Sequence, residues 1–64
     1  SAGADEIMDT HSDIARAAVH RAKCHFPRAG RFRIAKEAMA IVRRENAKSS
    51  WLVILSLIWA LLRR

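Results

Sequence analysis

Between Trp51 and Leu62 the chain reads WLVILSLIWALL, a run in which Ser56 is the one polar side chain. A helix of that composition cannot present its whole circumference to water. Something must cover it: a bilayer, an oligomer core or a partner chain. At about 1.5 Å per residue it is about 18 Å long, well short of the roughly 30 Å of a bilayer core. Runs of this length read first as core or interfacial helices. Lys48 and Arg63-Arg64 flank the run, and Trp51 and Trp59 suit headgroup level, so a membrane reading stays open beside the oligomer reading. Trp51, Leu52, Ile54, Leu55, Ile58, Trp59, Leu61 and Leu62 are the candidate residues of that oligomer or membrane interface. Ser56 and Ala60 add small side chains that allow two helices to approach closely.

The rest of the chain is too short to absorb such a segment easily. A polypeptide of 64 residues hides only about 60% of its unfolded surface. Its single cysteine, Cys24, excludes an internal disulfide, and no Cys/His set has structural-zinc spacing. Small chains without such staples gain stability by associating. The expected fold is therefore all-α: an antiparallel helical hairpin plus a hydrophobic C-terminal helix, a small bundle completed by oligomerisation. A symmetric dimer is the default assembly. The lone cysteine and the lack of a secretory pattern suit a cytoplasmic setting, with membrane association as the alternative. The opening Ser1-Ala2-Gly3-Ala4 has no initiator methionine, which fits either an appended tail before Met8 or a piece of a longer chain.

Hydrophobic spacing places three helices. Thr10-x-x-Asp13 resembles a capping box, with Asp in place of Glu, and predicts a first helix over about 10–26. Its start is open between Ala4 and His11. Ile7, His11, Ile14, Ala15, Ala18, Ala22 and His25 fall on one stripe; Asp9, Asp13, Arg16, His20 and Lys23 fall opposite. Pro27-Arg28-Ala29-Gly30 is the turn, in which proline forbids continuation and glycine is expected to supply unusual backbone angles. A second helix over about 31–46 carries Ile34, Ala35, Ala38, Met39, Ile41 and Val42 on its apolar face. Ser49 or Ser50 is placed to cap a third helix over about 50–63. On an unbroken helix Trp51, Ile54, Ile58 and Leu62 would continue the basic side of the second helix, so a break near Ser49 is expected.

Catalytic chemistry finds no support. There is no glycine-rich phosphate loop, since Gly3 and Gly30 are the only glycines, and no paired carboxylates on an apolar background. His20 and Cys24, four residues apart, point the same way but are too few to hold a metal or build a nucleophilic site. His11 and His25 on the apolar stripe read as boundary residues, with pH sensing at a dimer seam as the sharper alternative. No enzyme activity, cofactor, metal or small-molecule substrate is expected.

The charge points to a partner. Twelve Lys and Arg against six Asp and Glu leave +6, which favours anionic surfaces. The acids crowd the N-terminus (Asp5, Glu6, Asp9 and Asp13), while Glu37 and Glu45 alone stand among the later bases. Arg28, Arg31, Arg33, Lys36, Arg43 and Arg44 form the candidate anionic-partner surface. Nucleic acid is the leading partner, through phosphate contact rather than base readout, because the second helix has no Asn or Gln before Asn46. The expected function is a small basic binding or regulatory protein that oligomerises through its C-terminal helix. The alternatives are a membrane-associated protein or subunit, and an adaptor or inhibitor that docks that helix on another protein.

Overall fold

The computed structural model describes the backbone of residues 2–46 and 50–63 and the side chains of residues 10–46 and 50–63. Three helices make up the described chain: α1 (Ala2–His25), α2 (Arg31–Glu45) and α3 (Trp51–Leu62). Each packs on both of the others, giving a three-helix bundle. No strand occurs among the described residues.

α1 begins at Ala2, so Thr10 lies inside the helix and Thr10-x-x-Asp13 does not act as its cap. The buried arc of α1 is Ala15, Ala18, Val19 and Ala22, the i, i+3, i+4, i+7 pattern of one face. It is rotated from the expected stripe toward Val19. His25 is exposed and Ile14 lies at the margin. His11 is half-buried, and its Nδ1 is buried without a hydrogen-bond partner among the described residues. The expected positions of Ile7 and Asp9 concern side chains outside those described.

α1 ends at the proline signal. The Phe26 N–H still bonds to the Ala22 carbonyl at 2.9 Å, and the Ala29 N–H then closes a turn on the Phe26 carbonyl at 3.0 Å. Pro27 occupies the second position of that turn, where its fixed φ is preorganised. Gly30 is the N-cap residue of α2, and the Ile34 N–H bonds to its carbonyl at 3.0 Å. Its φ of −75° is ordinary, and an added Cβ would meet nothing within 4 Å. The expectation that glycine supplies unusual angles here is therefore corrected.

α2 buries Ile34, Ala35, Ala38, Ile41 and Val42, with Met39 half-buried beside them. It ends at Glu45, and α3 starts again after Ser50. The separation lets α3 take a new rotational phase, and Ile54, Ile58 and Leu62 point into the core rather than along the basic side of α2. Ser50 is the N-cap residue of α3, although its hydroxyl makes no cap hydrogen bond. Ser49, the other candidate cap, lies outside the described residues, as does Lys48.

The core is a single cluster with an uneven division of volume. α1 and α2 contribute five buried alanines (Ala15, Ala18, Ala22, Ala35 and Ala38), while Ile54 and Ile58 of α3 are, with Val42, the largest fully buried side chains. The small residues let the helices approach closely, and the branched side chains of α2 and α3 fill the space between them.

Two variants check this arrangement. Ile58→Asp places an unpaired charge at a site of 0% exposure, at a cost of several kcal/mol. A chain this size has about 3–10 kcal/mol in total, so its helical circular dichroism should collapse, whereas Leu52→Asp on the outside of the same helix should leave the spectrum intact. Gly30→Ser adds a capping oxygen and restricts the unfolded chain, and should raise stability by about 0.5–1 kcal/mol in thermal melts; a loss would show that the glycine has a steric role.

Candidate interaction surface

The six bases expected on the anionic-partner surface are all exposed, but the fold distributes them over three places. Arg28 and Arg31 stand at the hairpin end. There Arg31 and Lys23 line a cavity of about 300 Å³ with Phe26, Ile34 and Leu62, so the α1–α2 turn lies beside the C-terminal end of α3. Arg33 and Arg44 lie toward α1. The Arg33 guanidinium rests over the Phe26 ring, 4.6 Å from its centroid, a cation–π contact that anchors it. Arg44 lines a groove with Arg21, His25 and Glu37. Lys36 and Arg43 occupy the remaining flank of α2. Lys36 follows Phe32 at i+4 and Arg43 at i+11, which puts all three on one side of the helix.

Phe32 identifies that side. It is 78% exposed, yet its ring meets Trp59 of α3 edge-on, with centroids 6.0 Å apart and planes at 70°. This is a favourable aromatic geometry, and it ties the Lys36–Arg43 flank of α2 to α3. Sequence reasoning had not singled out Phe32. Its only signal was an aromatic between two arginines, outside the buried spacing of α2.

Of the described acids, Asp13 and Glu45 sit elsewhere, while Glu37 shares a groove with Arg43. Asp13 and Glu45 line a groove between α1 and α2, where Arg21 Nη1 donates to both Glu45 carboxylate oxygens at 2.7 Å. Both partners are about half-exposed, so the pair contributes little stability. Glu37 turns to the α1 side with Ile41, and to the outer face of α2 with Arg43 and Arg44. α3 carries no acid or base from Trp51 to Leu62 and is followed by exposed Arg63.

α3 itself is divided. Of its expected interface residues, Ile54, Ile58 and Leu62 are covered by this chain's own α1 and α2, not by a second molecule. Leu55, Trp59 and Leu61 are half-buried, and Trp51 and Leu52 remain 54% and 68% exposed. Ser56 and Ala60 face outward, flanked by half-buried Val53 and Leu57. The Ser56 hydroxyl donates to the Leu52 carbonyl at 3.1 Å, turning the helix's one hydroxyl back onto its own backbone. The outward face of α3 is thus apolar in effect as well as composition.

His20 Nε2 and Cys24 Sγ lie 3.7 Å apart on the exposed side of α1, as their spacing predicts. No group of three or more potential metal ligands forms among the described residues. No described helix is long and apolar enough to cross a membrane. Comparison with protein-family models, curated proteins and solved structures found no match to this chain.

If the bases of α2 are not structural, Arg43→Ala with Arg44→Ala should change unfolding free energy by less than about 0.5 kcal/mol. Denaturant titration checks this, and a larger loss would assign them a role in holding the bundle.

Proposed function

We propose that the protein is a non-enzymatic binding protein that applies the outward face of α3, together with the adjoining basic flank of α2, to an anionic partner. The observation that carries this reading is the Phe32–Trp59 contact, which joins an apolar face and a row of bases into one surface. Apolar contact provides adhesion, and Lys36 and Arg43 provide long-range attraction and orientation. Asp13 and Glu45 line the α1–α2 groove, to which α3 contributes no residue, so these two acids stand apart from the α3 face.

Two other uses of these residues compete with it. Phosphate binding by nucleic acid needs only the outer bases of α2, Arg33, Arg43 and Arg44, and leaves the α3 face unused. Homo-oligomerisation through α3 covers that face and draws on the small Ser56 and Ala60, but a second copy carries the same excess of positive charge and offers Lys36 and Arg43 little counter-charge.

Titration with the sulfated polyanion heparin, followed by tryptophan fluorescence, tests the basic flank. Arg43→Ala should weaken binding about fivefold, corresponding to about 1 kcal/mol for a base near an anionic surface. The charge-matched Arg16→Ala, on the exposed side of α1, should change it less than about twofold. Equal losses would show that only net charge matters and would defeat the assignment of a particular face.

A further inference from the structure

We infer that the anionic partner is the surface of a lipid bilayer, on which α3 lies lengthwise with Leu52, Val53 and Trp59 entering the headgroup–acyl boundary; this rests on the anionic-partner reading above and narrows it to one source.

The first reason is shape and length. α3 has 12 residues, about 18 Å, against a bilayer core of about 30 Å. It is also fixed along one side, because Ile54, Ile58 and Leu62 are buried in the bundle. A helix held this way cannot thread a bilayer without unfolding the core, but it can present its outer face to one.

The second reason is the chemistry of the face. Leu52 is exposed, Val53 and Trp59 are partly so, and the Ser56 hydroxyl is satisfied by its own helix, so sinking the face into an apolar layer strands no hydroxyl there. Trp51 and Trp59 are suited to the boundary, where an apolar ring and a polar N–H find their environments together.

The third reason is the placement of charge. Lys36 and Arg43 border the apolar face on the Phe32 side, and Arg63 follows its C-terminal end. Long basic side chains beside a buried apolar strip reach back to phosphates while their stems stay in contact with it. Nucleic acid would pair with these bases but leave Leu52 and Val53 wet. A second copy would cover the apolar side chains but bring the same positive excess rather than counter-charge. An anionic bilayer surface accommodates both.

The test uses the full chain with vesicles of phosphatidylcholine alone and of phosphatidylcholine mixed with phosphatidylglycerol, read by co-sedimentation and tryptophan emission. Binding with a blue shift is expected on the mixed vesicles and much less on the neutral ones. Leu52→Asp, checked for an unchanged helical spectrum, should weaken it about tenfold or more. Lys36→Ala with Arg43→Ala should weaken it about 25-fold. Failure to bind mixed vesicles by protein that still binds heparin through Arg43 would overturn the lipid assignment and leave the anionic-partner reading standing; failure of both would end both. Binding indifferent to Leu52→Asp would also overturn it, since the α3 face would then not be inserted. So would a lipid-independent dimer, with tryptophans already blue-shifted in buffer, or preference for DNA over mixed vesicles in competition.

Discussion

The bundle depends on the insertion of two isoleucines from α3 into a core shared by all three helices. Ile54 and Ile58 are fully buried in one cluster with Ala15, Ala18, Val19 and Ala22 of α1 and Ile34, Ala35, Ala38, Ile41 and Val42 of α2. α1 presents mostly alanine, which buries little apolar area, so most of the bulk of the core comes from α2 and α3. The α1 face offers a close-fitting seat for those branched side chains, and the three helices are mutually required.

That division of labour limits what α3 can do outside. The stripe through Ile54, Ile58 and Leu62 is committed to the core, so the helix is held along one side and its opposite side is presented outward. On a helix with a polar outer face this would have no consequence. Here the outer face is apolar too, and its one hydroxyl is turned inward onto the backbone. A surface of this kind on a chain bearing +6 carries two demands at once, cover for the apolar strip and counter-charge for the bases around it. The aromatic contact between Phe32 and Trp59 places the two demands side by side.

Several features were legible from residue order. Pro27 ended the first helix, and the buried face of α2 followed from spacing alone. The need for a break before α3 also followed, because a continuous helix would have put the isoleucines among the arginines. Others were not. Thr10-x-x-Asp13 has the spacing of a cap, but a cap needs a residue outside helical geometry, and α1 runs through it from Ala2. His25 fits the stripe by periodicity but lies in the last turn of α1, where it stays exposed. Gly30 looked like a conformational necessity and proved to have ordinary angles.

From order and composition alone came the helical character, the hairpin turn, the excess of positive charge and the presence of a segment needing cover, because periodicity, proline geometry and charge are local properties of the chain. Which part of that segment the chain covers for itself was decided only in three dimensions. Burial is a relation between elements distant in sequence: it took the seating of α3 on both hairpin helices to hide Ile54, Ile58 and Leu62 and to leave Trp51 and Leu52 outside. The same seating brought Trp59 to Phe32 and so set an apolar face beside a basic one, a juxtaposition that no spacing along the chain encodes.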